Sequence, residues 1–364
     1  MKLIKEIIEN VSPIIIQPTS SSITLSLSRR FFLFQIMEKI INTIEEEPHL
    51  NFIALLKNYK ILGKVMDGTL HEFYRDRNKL YFKNFFYDRT LWAVVKEDIE
   101  YFYPKYHESH QNLKMTITKW GVIIYDNYKR GSFNVLLTTI HSGTWIPEFI
   151  EKKMSISSKK RHQEQDIDTH KIYSPLVLDK GGIWIDNKQS RFLIDFNRDY
   201  LKAIYKNNSE IWIDQVWKEE PTEKEKEEIF RSYHEFYFTF GKLVEAYHFN
   251  IIFDGHSMNG WSGRPNISFA TDCISPFYMP IVEEMRKKML MMGYGTVQFN
   301  DPYLSQNIAH WLKEKFPSAF IFSMEVNKKL YTTHHFLKSH QKKIEKLAQD
   351  IPQIFDLEVN HGSH

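Results

Sequence analysis

Histidines and carboxylates fall at the ends of apolar runs in this chain, and its chemistry is sought there. The run VLLTTI (135–140) is followed by His141-Ser142-Gly143, and RFLIDF (191–196) leads into Asn197-Arg198. FNIIFD (249–254) continues into Gly255-His256-Ser257, and AFIFSME (319–325) ends on Glu325. Between the first two runs lies an acidic cluster, Asp166-Ile167-Asp168-Thr169-His170. Catalytic zinc usually takes three ligands from His and Asp/Glu and leaves one position for water. His141, Asp168 and His256 meet that need, with Asp166 as the alternative carboxylate. One Zn2+ per chain would keep about one net positive charge there, lowering the pKa of a bound water and polarising a carbonyl. The same ligand set also suits iron. Glu325 is the candidate general base. Arg198, with Asn197 beside it, offers a planar two-pronged grip for a substrate carboxylate. Asp254, two residues before His256, reads either as the group that orients that ring or as a helix cap.

The elements that must position these groups follow from the same runs. Each is almost continuously apolar, as strands covered on both faces are. They alternate with helical patterns, so the expected class is α/β, with a mixed, mostly parallel sheet flanked by helices. In such sheets ligands gather beyond the carboxyl ends of the strands, which would bring these groups to one rim. A strong helix is expected after Pro221-Thr222, with Glu225 completing a capping box. Its apolar face runs Ile229, Tyr233, Tyr237, Phe240, Val244 and Tyr247. The basic, serine-containing stretch 151–165 reads as a solvated loop or lid.

Residues 131–350 form the expected catalytic domain, and 1–130 an N-terminal extension that is helical or mixed. The clearest element of the extension is a helix over 31–46, where Leu33, Ile36, Met37, Ile40, Ile41 and Ile44 recur at helical spacing. Its aromatic stretches read as packing surface, a structural cap or an oligomer contact.

Composition narrows the class further. With 42% hydrophobic and 15% aromatic residues, the chain can bury a sizeable core. Lys plus Arg number 48 against 45 acidic residues, a net charge of +3, without the basic stripe that a nucleic-acid partner would need. The single cysteine, Cys273, excludes an internal disulfide and fits a reducing compartment. No run approaches the roughly 20 apolar residues that span a bilayer, and the first residues lack a secretory pattern. A cytoplasmic protein acting on a small molecule or peptide that carries a carboxylate is expected, with no membrane or nucleic-acid partner. The oligomeric state is not written in the sequence.

The order of the patches resembles the N-formylglutamate amidohydrolase family. The matching segments are TTIHSGTWIP (138–147), DIDTHKIY (166–173), RFLIDFNRD (191–199), FDGHSM (253–258), FNDPYLSQNI (299–308) and FIFSMEV (320–326). Tyr233-His234, on the helix before the third strand, also has a family counterpart. The resemblance implies a fold like that of the zinc carboxypeptidases, with zinc on His141, Asp168 and His256. It further implies that Asn197-Arg198 holds a substrate carboxylate and that Glu325 is the base. Arg264 is a candidate donor to the oxyanion. Carboxypeptidases carry a zinc ligand three residues after the first histidine; here that position is Thr144. Ile140 stands where the family has proline, Phe269-Ala270-Thr271 replaces Leu-Gly-Thr, and Tyr303-Leu304-Ser305-Gln306 replaces a Gly-Gly segment. Lost glycines change how closely backbone can approach a ligand, so the pocket is expected to be reshaped. The implied activity is hydrolysis of an N-formyl or other N-acyl amino acid. The alternatives are the same metal chemistry on a peptide or biosynthetic intermediate, or a non-catalytic binding protein on this fold.

Overall fold

A computed structural model describes residues 120–356, apart from 209–212, 214, 261–262 and 334–335, together with 14–16, 114–117 and scattered positions between 91 and 102. The helix expected over 31–46 lies outside the described residues. The chain divides into two compact units, 1–127 with 237–246, and 128–236 with 247–364.

In the first unit β1 (Ile14–Ile16), β2 (Lys114–Ile117) and β3 (Val122–Asn127) pair antiparallel, with Ile15 opposite Thr116 and Thr116 opposite Ile124. Every residue of β3 is buried.

The second unit begins with β4 (Val135–Thr139), then α1 (Ser158–Glu164), α2 (Thr169–Pro175) and β5 (Gly182–Asn187). Helix α3 (Glu223–Ala246) follows, its last ten residues belonging to the first unit. Then come β6 (Ile251–Met258), β7 (Ile267–Ala270), α4 (Met279–Met291), β8 (Val297–Phe299), α5 (Asn307–Lys315), β9 (Ile321–Asn327) and α6 (Gln341–Ile354). The strands lie in the order β5-β4-β6-β9-β7-β8; all neighbours are parallel except β9 and β7. This is the expected mixed, mostly parallel sheet with flanking helices. No helix among the described residues is long and apolar enough to cross a membrane.

Alternation along β6 sorts its side chains between the two faces of the sheet. Phe253 packs edge-on against Tyr173 of α2, Phe322 of β9 and Phe355 beyond α6. Burying each such ring contributes about 1.5–3 kcal/mol. Gly255 follows on that face, where an added Cβ would stand 2.5 Å from the Tyr173 ring. Asp254 and His256 therefore point to the opposite face. Registration places Thr138 of β4 beside Asp254 and Glu325 of β9 beside His256. Three parallel strands thus deliver polar groups to one face at their carboxyl ends.

Two local expectations are corrected. RFLIDF (191–196) is not a strand: it turns beneath the site, with Phe192, Leu193, Ile194 and Phe196 all buried. The sheet position next to β4 is taken by GIWIDN of β5. The basic stretch is only partly a loop, because Ser157 Oγ accepts from Lys160 N at 3.2 Å and starts α1. Arg161 of that helix is buried, donating to Ile156 O at 3.0 Å and pairing with Glu151.

Candidate metal centre and active site

His141 sits two residues beyond the Thr139 end of β4, in a turn held from below. Gly143 permits this turn, since a Cβ there would lie 2.2 Å from the Lys188 carbonyl carbon. Asp186 of β5 accepts from Thr139 Oγ1 and Ser142 Oγ, each at 2.7 Å, and Lys188 Nζ lies 2.5 Å from its other oxygen. Gln165 Nε2 donates to Gly143 O at 2.8 Å.

The two histidines face one carboxylate. Nδ1 of His141 lies 3.6 Å, and Nδ1 of His256 2.9 Å, from Asp166 Oδ2. The opposite nitrogen of each ring meets a different aspartate. His141 Nε2 lies 2.7 Å from Asp195 Oδ1, and His256 Nε2 lies 2.7 Å from Asp254 Oδ2. All five residues are buried. A carboxylate behind Nε2 fixes the tautomer with its proton there and turns the Nδ1 lone pair inward, as at metal sites. Ligand atoms of His141, Asp166 and His256 come within 4.8 Å of one another, so two imidazoles and a carboxylate fit a zinc-sized cation.

Asp168 does not join them. It stands at the start of α2 in the left-handed region (φ 57°), its carboxylate 2.6 Å from Lys171 Nζ and accepting from Ser339 Oγ. The carboxylate that lies beside both rings is Asp166, two residues before the expected Asp168.

The electrostatics of the cluster favour a cation. Burial alone would raise the Asp166 carboxyl, but the two imidazoles beside it, His141 and His256, hold it well below the ordinary range. Burial would lower His256; Asp254 and Asp166 instead push its pKa well above the usual value. Asp195, also buried, is held low by His141 and Arg191. Its Oδ2 accepts from Arg191 Nη2 at 2.8 Å and from Tyr205 OH. Burial lifts the Glu325 carboxyl to about 7, with His256 opposing, and its inaccessible Oε2 has no hydrogen-bond partner among the described residues. Within electrostatic reach of Asp166 and Glu325, Lys328 Nζ donates to Gln163 O at 2.8 Å and Asn259 Oδ1 at 3.0 Å, and burial lowers it to about 8.

The expected substrate groups are arranged unequally. Asn197 is turned inward: its Nδ2 lies 3.2 Å from His256 Nε2 and its Oδ1 accepts from Ile308 N at 3.1 Å. Arg198 is half-buried, its guanidinium 4.6 Å from the centre of the Tyr205 ring and its Nε 3.7 Å from Asp195 Oδ2. Arg264 donates to Tyr303 OH at 2.8 Å. The Tyr303 hydroxyl is raised by burial and by the charge of Glu325, which places this pair within electrostatic reach of the base.

Asp195, Arg191, Tyr205 and Asp186 were not singled out from the sequence. A carboxylate interrupting an apolar run, as in RFLIDF and GIWIDN, was the available signal. A buried charge is retained only where partners await it.

Residues 133–332, more than half of the chain, match the family described as N-formylglutamate amidohydrolase. Among solved structures, an N-formylglutamate amidohydrolase from Ralstonia eutropha JMP134 is 16% identical with a TM-score of 0.51, covering 64% of this chain and 94% of that one. A gene product of Agrobacterium tumefaciens is 18% identical with a TM-score of 0.48, covering 61% and 88%. A succinylglutamate desuccinylase from Chromobacterium violaceum is 8% identical with a TM-score of 0.35, covering 67% and 66%. The first of these likenesses shows a shared fold. No curated protein matches the chain.

Proposed function

The chain belongs to the N-formylglutamate amidohydrolase family, and from that premise we propose that it hydrolyses the amide of an N-formyl or other N-acyl amino acid at the His141–Asp166–His256 centre. The observation that carries this reading is the convergence of two buried imidazole Nδ1 atoms on Asp166, with an unpartnered carboxylate oxygen of Glu325 on the adjacent strand. Zinc held by those three residues would supply a Lewis acid for the acyl carbonyl and bring a water pKa towards about 7.

The chain's own groups do the rest. Glu325, whose Oε2 makes no internal hydrogen bond, accepts the proton of the attacking water and passes it to the leaving nitrogen. The products are the free carboxylic acid and the amine. Asp195 and Asp254 keep the ring protons on Nε2. Asn197 lies against His256 and accepts from the backbone N–H of Ile308, and Arg198 is the proposed grip for the substrate carboxylate. Arg264, paired with Tyr303, is the candidate donor to the oxyanion.

Tyr303 occupies the segment where relatives carry glycines, and its ring stacks 5.2 Å from the Arg264 guanidinium. That added bulk favours a second substrate class for the same chemistry, a peptide or biosynthetic intermediate with an N-acyl group. A non-catalytic binding role is disfavoured, because ligands, base and arginine are all retained together.

The test combines metal content with turnover on a panel of N-acyl amino acids. His256→Ala is expected to lose one zinc equivalent relative to wild type. Glu325→Gln should keep its metal and lose about 10²–10⁴-fold in kcat, the usual worth of a general base. Equal metal in wild type and His256→Ala, or undiminished turnover in Glu325→Gln, rejects the reading.

A further inference from the structure

A second cluster of different chemistry lies where β7 ends and α5 begins. Asp272 and Cys273 follow β7, and His310 lies in the first turns of α5. Cys273 Sγ is 3.3 Å from His310 Nδ1. The other ring nitrogen, Nε2, lies 3.1 Å from Ser305 O. A carbonyl can only accept, so Nε2 carries the ring proton and Nδ1 turns its lone pair to the sulphur. This is the arrangement that prepares a histidine to ligate. The Asp272 carboxylate is fixed by Ser305 N, which donates to Oδ1 at 2.6 Å. Ser305 Oγ is buried against both Asp272 and Cys273 without a well-formed hydrogen bond to either. Ligand atoms of the three side chains lie within 4.8 Å of one another.

We propose that Asp272, Cys273 and His310 form a second cation site, selective for Zn2+ or a similar thiophilic divalent ion. Thiolate and imidazole suit zinc and cobalt rather than magnesium or calcium. One thiolate and one carboxylate balance the charge of a divalent ion, whereas the His141–Asp166–His256 set leaves it at about +1. Cys273 is buried while Asp272 and His310 are exposed, so an ion enters from the solvent side and meets the sulphur last. Binding releases the thiol proton. The ion would clamp the end of β7 to α5 across the 303–308 segment. Two backbone groups of that segment meet Asn197: Asn307 N donates to its carbonyl at 3.4 Å and Ile308 N to Oδ1 at 3.1 Å. The clamp therefore reaches Asn197, which lies against His256, although the site is separate from the catalytic one.

The experiment uses full-length protein carrying His141→Ala and His256→Ala, stripped with a chelator and titrated with Co2+ in place of Zn2+. One equivalent is expected to bind, with thiolate-to-cobalt charge-transfer absorption in the near ultraviolet and a raised melting temperature. Adding Cys273→Ser should remove the absorption, and adding His310→Ala should weaken binding at least tenfold. An ordinary S–H···N hydrogen bond would produce none of these signals. Absence of saturable cobalt binding in a cooperatively folded protein, or binding without sulphur absorption, overturns the proposal. Should the double variant not fold, metal counting decides: wild type is expected to hold one more equivalent than His310→Ala, and equal content rejects the site.

Discussion

Two aspartates separated by one residue face different partners, Asp166 the two imidazoles and Asp168 a lysine of its own helix. Asp168 opens α2 with φ 57° and turns its carboxylate along the helix to Lys171. Asp166 precedes the helix, anchored by its N–H to His141 O at 3.1 Å, and so faces both imidazoles. Asp166→Asn should abolish tight metal binding. Asp168→Asn should retain it, because asparagine tolerates the left-handed region, at a stability cost of about 1 kcal/mol for the altered hydrogen bonds. Metal titration of both variants decides, and the opposite pattern would restore Asp168 as the ligand. The aspartates behind the rings act more weakly: Asp195→Asn and Asp254→Asn should each cost about 10–100-fold in metal affinity. The pH profile belongs to this scale too. Glu325 must be ionised to act as a base, and burial holds it near 7 before any cation is present. A bound divalent cation favours the carboxylate, so kcat/KM should fall as pH is lowered through a value below about 7. An acid limb above 7 would exclude Glu325 as the base. The sequence offered both aspartates equally; which one reaches the rings depends on tertiary placement that residue spacing does not encode.

The longest second-unit helix carries its start signal in its sequence. Thr222 N donates to Glu225 Oε2 at 2.7 Å and Glu225 N donates to Thr222 Oγ1 at 3.4 Å, the reciprocal pair expected of a capping box. Lys153 Nζ joins at 2.8 Å. Thr222→Ala should cost about 1 kcal/mol, lowering the melting temperature by roughly 1–2 °C. Lys153 first, and the Thr222 N–H next, pull Glu225 down to about 2 from 4.5. A depressed folded pKa contributes stability above the unfolded value and loses it as pH falls from about 4.5 towards 2. In Glu225→Gln this acid sensitivity should shrink; an unchanged difference between neutral and acid melting temperatures would count against the pair. Local signals of this kind were legible, as were β4, β6 and β9, whose apolar runs sit in the middle of the sheet. RFLIDF misled because four of its apolar side chains are as buried as those of a strand, yet its backbone turns to aim Asp195 and Asn197. Burial sets the composition of such a segment, and the ladder that would define a strand depends on a neighbour the sequence does not name. On α3 the buried stripe runs through Phe236 and Leu243, while Val244 is only half-buried, a shift of one position on the same face.

At the scale of the whole molecule, the site is a concentration of buried charge that folding must tolerate. Asp166, Asp195 and Asp254 are all buried, with Glu325 Oε2 enclosed beside them. Arg191 pairs with Asp195, Arg198 Nε lies 3.7 Å from the same carboxylate, and the imidazoles add further compensation. Burying unpaired carboxylates is costly, so a divalent cation that binds only the folded chain should stabilise it by mass action. At a free concentration one hundred times Kd, that linkage is worth about 2.7 kcal/mol. For a chain of this size, chelation should therefore lower the melting temperature by roughly 3–4 °C, and readdition of zinc should restore it. His256→Ala separates this effect from general chelator damage, because that variant should start low and respond to chelator only through the Asp272–Cys273–His310 cluster. If the wild type melts at the same temperature with and without chelator, the buried carboxylates are balanced by protons and the chain's own basic side chains. The polar face at the ends of β4, β6 and β9 would then have to be read as a proton-held network.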